Sequence, residues 1–199
     1  MWLFLVSALC ATVYGAFYCY RAPHWVGGLV KTVSTASLGL LALLSGFPVL
    51  AVALGLSSLG DLALSRQGER WFMGGLISFA LAHAVYIFLL FGAGWPPVLI
   101  IAALGGLAAS TRWWLLPYTA ELHVPVAVYV LLITGMGLAA WGHDSWLLRI
   151  GATLFIASDV TLAWHLFRAK GNMPARQVAL WALYYTGQVA LMMGLGQFL

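Results

Sequence analysis

The chain has 199 residues, 63% of them hydrophobic and 7% charged, with a net charge of +4. Soluble domains carry roughly 25% charged residues, so this composition excludes a chain built to turn its outside to water. The basic residues collect at segment ends rather than along one face, which speaks for membrane topology and against nucleic acid as a partner.

Eight apolar segments follow one another, at 1–20, 27–45, 47–65, 71–92, 95–111, 122–141, 145–167 and 176–198. Each is close to the roughly 20 residues that a membrane-crossing helix needs. The expected fold is therefore all-α, a polytopic membrane bundle of about eight transmembrane helices in a single domain over 1–199. The first segment has no basic start, and Ser7-Ala-Leu-Cys10 is a poor lipoprotein cleavage site, so it reads as a retained span. Cys10 and Cys19 on one helix would stand about 14 Å apart along its axis, too far for a disulfide. Turn residues punctuate the breaks, among them Pro23, Pro48, Gly68, Pro96-Pro97, Pro117, Gly142 and Pro174. Such short connections make consecutive helices antiparallel neighbours.

Arg21, Lys31, Arg66, Arg70, Arg112, Arg168, Lys170 and Arg176 fall at or beside odd-numbered connections, and Arg149 alone lies near an even one. The positive-inside rule places the odd connections in the cytoplasm and both termini outside, with a bacterial inner membrane as the expected location.

Two carboxylates interrupt this apolar sequence. Asp61 lies in the third segment and Asp159 in the seventh, in the related contexts Gly60-Asp61-Leu62-Ala63-Leu64 and Ser158-Asp159-Val160-Thr161-Leu162. An acid within a bilayer costs a few kcal/mol or more and marks a functional site by default. Tyr86 and Tyr184 each follow their aspartate by 25 residues, which points to a parallel four-plus-four pseudo-repeat with a site between the halves. Helical rise puts Asp61 about one turn from the cytoplasmic end, Asp159 about 14 Å deep and His83 about 18 Å deep. Tyr184, Tyr185 and Gln188 fall at similar depths, the profile of a cavity open to the inner leaflet.

Single polar groups have a plainer reading, as interhelical packing bonds, and it weighs most for Ser57 and equally with function for His83. Lys31 is as well explained by a snorkelling anchor as by a lipid-phosphate contact. The chain has no His-x-x-x-His pair, Cys cluster or Gly-x-Ser-x-Gly elbow, so neither a zinc site nor a serine esterase is expected.

Ser57-Ser-Leu-Gly60-Asp61 with Gly75, Phe79, His83 and Tyr86 resembles the first signature of the YhhN family of lysoplasmalogenases. Gly151, Phe155, Ser158-Asp159, Phe167, Tyr184-Tyr185 and Gln188 resemble the second. The departure is Lys31-Thr32, where the family pattern has Lys-Pro. The resemblance implies hydrolysis of the vinyl-ether bond of a lysophospholipid, the lysoplasmalogen, to a fatty aldehyde and glycerophosphocholine or glycerophosphoethanolamine. Asp61 and Asp159 would share the acid–base work with one proton between them, much as two carboxylates divide glycoside hydrolysis. Lys31, Ser57, His83, Tyr86, Ser158, Tyr184, Tyr185 and Gln188 would orient water or bind the glycerol and phosphate, with no metal and no organic cofactor. Intramembrane acids and a repeat also suit a small proton-coupled transporter, or a lipid-binding membrane protein without chemistry. A cavity closed on one side separates the enzyme from a carrier gated on both.

Overall fold

The computed structural model describes residues 2–92, 94–169, 171 and 173–196; Lys170, one of the basic residues used for orientation, lies outside them. Eight α-helices make up the described chain: α1 (Trp2–Phe17), α2 (Trp25–Leu44), α3 (Pro48–Leu64), α4 (Glu69–Leu89), α5 (Val98–Trp114), α6 (His123–Trp141), α7 (Trp146–Phe167) and α8 (Pro174–Leu195). Proline opens α3 and α8, where its missing N–H costs nothing. Between α5 and α6 the mixed segment resolves into two 3-10 turns, Leu116–Tyr118 and Ala120–Leu122.

The stretches of α2, α4, α5 with its following turn, α6, α7 and α8 are long and apolar enough to cross a membrane, while α1 and α3 are shorter apolar helices of 16 and 17 residues. Large apolar side chains cover the outside, including Leu9, Leu44, Phe88, Leu99, Val124 and Leu131. This is the surface of a bundle solvated by lipid, and the chain is an integral membrane protein.

Lipid offers no hydrophobic drive for helices to associate, so close packing must come from small residues and interhelical hydrogen bonds. Both devices operate in the pairs α3–α4 and α7–α8. A Cβ on Gly60 would meet the Phe79 ring at 2.6 Å, and one on Gly151 would meet the Leu191 backbone nitrogen at 2.8 Å. Ser78 donates to the Leu56 carbonyl at 2.7 Å, joining α4 to α3, and Ser158 donates to the Leu180 carbonyl at 3.1 Å, joining α7 to α8. Helix α2 lies on α3, α1 on α2, α6 against α4 and α7, and α8 reaches back to α1, α2 and α3. Toward the even-connection end Leu50, Leu90, Met136, Ala140, Leu148 and Leu195 fill the interior, each at most 1% exposed. The odd-connection end is hollow.

Candidate active site

A cavity of about 580 Å³ runs from the odd-connection end into the bundle, and both Asp61 and Asp159 line it. Its mouth carries the exposed residues Arg21, Pro23 and His24, and its wall includes Lys31, Tyr129, Ser158, Trp181 and Tyr184.

Asp61 is fully buried on the inner face of α3. Its Oδ2 accepts from the Thr35 hydroxyl at 2.8 Å and the Tyr184 hydroxyl at 2.7 Å. Its Oδ1 lies 3.1 Å from Lys31 Nζ, an ion pair without hydrogen-bond alignment, so Oδ1 has no aligned donor among the described residues. Burial of a carboxylate is tolerable only with such pairing, since an isolated buried charge costs far more than one hydrogen bond returns. The Lys31 ammonium also stands 5.9 Å over Trp181 and 6.0 Å over Tyr184, so two ring faces share its charge.

Asp159 has a different environment. It is half-buried on α7, and a neutral phenol, Tyr129 on α6, donates to its Oδ2. Among the described residues the ion pairs are Lys31–Asp61 and Arg149–Asp144, and neither involves Asp159. The two aspartates thus present unlike chemistry to one space, one an ion-paired carboxylate and the other a carboxyl with a phenol partner.

Behind Asp61 a chain of hydrogen bonds runs inward. Gln188 donates to Tyr184 at 3.4 Å and accepts from the Tyr86 hydroxyl at 2.6 Å, so Gln188 and Tyr86 form a buttress behind the wall residue Tyr184. His83 sits behind Tyr129 and Phe155, with ring centroids 5.3 and 4.9 Å away. Its Nδ1 is 2.5 Å from the Phe79 carbonyl, which fixes the proton there because that oxygen can only accept. Its Nε2 has no partner among the described residues.

Of the residues expected from sequence, Asp61, Asp159, Lys31, Ser158 and Tyr184 meet at the cavity. His83, Tyr86 and Gln188 stand one layer behind. Ser57 is turned to its own helix, donating to the Ala53 carbonyl at 3.0 Å. Tyr185 shares a 2.8 Å hydrogen bond with Ser7, and Ser7 bonds the Ser34 carbonyl, so Tyr185 ties α8 to α1 and α2. Thr35, Tyr129 and Trp181 were not anticipated. For Tyr129 a signal existed: the 98-residue step from Asp61 to Asp159 and from Tyr86 to Tyr184 also carries Lys31 onto Tyr129. Among the described residues no three His, Cys, Asp or Glu side chains gather as a metal site would require.

The YhhN family model matches residues 26–195, which takes in Lys31, Asp61, Tyr129, Asp159 and Tyr184 of the cavity. The chain belongs to the YhhN family. Among curated relatives of this YhhN protein, lysoplasmalogenase TMEM86B of Sus scrofa is 31% identical over 214 residues, covering 98% of this chain and 87% of the relative. Lysoplasmalogenase TMEM86A of Bos taurus is 29% identical over 192 residues, covering 85% and 78%. Lysoplasmalogenase TMEM86A of Homo sapiens is 29% identical over 192 residues, covering 84% and 77%. No solved structure matches.

Proposed function

We propose that this YhhN protein is a lysoplasmalogenase, an ether hydrolase that splits the vinyl-ether bond of 1-alkenyl-glycerophosphocholine or 1-alkenyl-glycerophosphoethanolamine. The products are a fatty aldehyde and the glycerophospho-amine. The carrying observation is the pair of unlike aspartates on one cavity wall, in a chain whose relatives bear that name.

Vinyl-ether hydrolysis begins with a difficult proton transfer to carbon and passes through an oxocarbenium ion. It needs a placed acid, a base for water and negative charge beside the cation. Lys31 holds Asp61 as the carboxylate, so Asp159 is the partner that carries the proton. Asp159 donates it to C2 of the alkenyl chain, and the positive charge develops on C1 and the sn-1 oxygen beside the new Asp159 carboxylate. Water adds to C1 and gives a proton to Asp61. In the resulting hemiacetal, Asp159 takes the hydroxyl proton while Asp61 returns its proton to the sn-1 oxygen as the C1–O bond breaks. One water is consumed and both aspartates regain their starting states.

A proton-coupled carrier caught open to one side would also be closed at the other end, so it is the name borne by the relatives that favours the hydrolase over that alternative. The basic residues favour the orientation with the cavity mouth in the cytoplasm of a bacterial inner membrane, where lipid would enter from the inner leaflet. The test is purified protein with lysoplasmalogen in D2O. The expected product is aldehyde bearing one deuterium at C2, formed more slowly than in H2O. Absence of aldehyde, or aldehyde without that label, would remove the proposal.

A further inference from the structure

Arg21 places a positive charge at the cavity mouth, and no acid stands beside it in the lining. Of five acids in the chain, Asp61 and Asp159 lie inside, while Glu69, Glu121 and Asp144 do not line the cavity. Arg21, His24, His165 and Gln177 do line it. His24 Nδ1 accepts from the Val26 backbone at 3.0 Å, so its remaining proton is on Nε2 as a donor.

His165 faces Arg176 Nη1 with Nδ1 at 3.4 Å and Gln177 with Nε2 at 2.7 Å. A guanidinium cannot accept, so His165 Nδ1 is the acceptor and Nε2–H the donor. The structure sets the Gln177 amide nitrogen opposite Nε2, and since two donors cannot bond, the hydrogen-bond network requires the amide turned over with its oxygen toward His165. The amide's two N–H groups are left for another acceptor. Arg21, His24 and Gln177 are therefore three donors at one opening with no carboxylate among them.

Depth agrees with one ligand. His165 stands six residues beyond Asp159 and His24 seven residues before Lys31, so they lie about 9 Å above Asp159 and about 10.5 Å above the Lys31 partner of Asp61. Six bonds separate C1 of an alkenyl chain from the phosphorus of its glycerophosphate, about 7 Å when extended at roughly 1.2 Å per bond. A vinyl ether placed at Asp159 puts its phosphate among those donors.

We infer that Arg21, His24 and Gln177 form the phosphate-binding subsite of this cavity, with His165 and Arg176 as positioning residues that aim the Gln177 amide. The assignment rests on the hydrolase reading for the depth of the vinyl ether, but not for the chemistry of the donors. The mouth offers the ammonium of choline or ethanolamine no carboxylate, only ring faces such as Tyr18 and Trp114. The subsite selects a glycerophosphate of any head-group base, including 1-alkenyl-glycerophosphate with none.

The test is binding of three uncleavable octyl ethers, 1-octyl-glycerophosphocholine, 1-octyl-glycerophosphate and 1-octylglycerol, followed by the fluorescence of the cavity tryptophans. The two phosphate ligands should bind within about threefold of one another and at least about thirtyfold more tightly than 1-octylglycerol, as two or more charge-assisted hydrogen bonds require. The double variant Arg21→Ala, Gln177→Leu should weaken the phosphate ligands about tenfold or more and leave 1-octylglycerol unchanged. Equal binding of all three ligands, or equal weakening of all three in the variant, overturns the subsite. Phosphate discrimination without aldehyde from the alkenyl counterparts upholds the subsite and removes the hydrolase reading. Aldehyde without discrimination does the reverse.

Discussion

Lys31 on α2 and Asp61 on α3 are ion-paired at 3.1 Å inside the bundle, with 14% and 1% of their side chains exposed. The pairing changes what Lys31 does. From sequence it was an anchor or a phosphate ligand, but its ammonium is committed to a carboxylate deeper than the mouth. In the proposed mechanism it holds Asp61 charged.

Lys31→Met should therefore act on turnover rather than on substrate affinity. With its cation gone, Asp61 takes up the proton that it otherwise receives from water, and kcat should fall at least about a hundredfold, the range of a lost general base. KM should change little. Folding must then protonate Asp61 or bury its unpaired charge, and either lowers stability, so the single variant should also melt earlier in detergent. The double variant Lys31→Met, Asp61→Asn should regain much of that stability and none of the activity. A raised KM with normal kcat would return Lys31 to the phosphate.

Asp61→Asn and Asp159→Asn should each nearly abolish aldehyde release, for different reasons. An asparagine at position 159 can supply no acidic proton to carbon, and one at position 61 can accept none from water. The folding consequences differ as well. Asp61→Asn strands the Lys31 charge and should lower the melting temperature, whereas Asp159→Asn keeps a neutral acceptor for Tyr129 and should melt within a few degrees of wild type. More than a few per cent of activity in a folded Asp159→Asn variant would make that residue structural.

Ser57→Ala and Tyr185→Phe test residues whose sequence position suggested substrate contact but whose side chains point elsewhere. Ser57 bonds within its own helix and Tyr185 bonds Ser7. Both variants should hold kcat/KM within about twofold of wild type. Tyr185→Phe should cost about 1 kcal/mol of stability for one lost hydrogen bond. A tenfold loss of kcat/KM in either would place it in contact with substrate.

The all-helical membrane bundle was legible in the sequence because apolar length and turn punctuation act locally, and the family motifs flagged both aspartates. Which way a polar side chain points was not. Ser57 shares a helix with Asp61 one turn away, yet a serine can satisfy itself on the preceding carbonyl and leave the site. Tyr184 and Tyr185 are adjacent and so point about 100° apart on α8, and the placement of α8 among its neighbours turns Tyr184 to Asp61 and Tyr185 to Ser7 on α1. Thr35 gave no sign, because a threonine in an apolar helix looks the same whether it bonds its own turn or a neighbouring acid. Tyr129 could have been found by extending the repeat to Lys31. The repeat also has a limit: Tyr184 reaches Asp61, but its counterpart Tyr86 bonds Gln188 instead.

That asymmetry makes Tyr129 the residue on which the division of labour depends. In the proposed mechanism a cation at position 31 fixes one aspartate as a base, and a phenol at position 129 leaves the other able to carry a proton while orienting it toward the cavity. Tyr129→Phe removes the hydrogen bond donated to Asp159 and should lower kcat about ten- to a hundredfold, through loss of orientation, with KM nearly unchanged. Tyr129→Lys is the sharper test. It would give Asp159 the same cationic partner as Asp61, so both carboxyls would be ionised and no acid would remain. Aldehyde release should then fall to the level of Asp159→Asn at neutral pH and recover in part as the pH is lowered and Asp159 is reprotonated. The pH–rate profiles of the two variants decide it. A Tyr129→Lys enzyme with wild-type turnover at neutral pH would mean that Asp159 is not the proton donor.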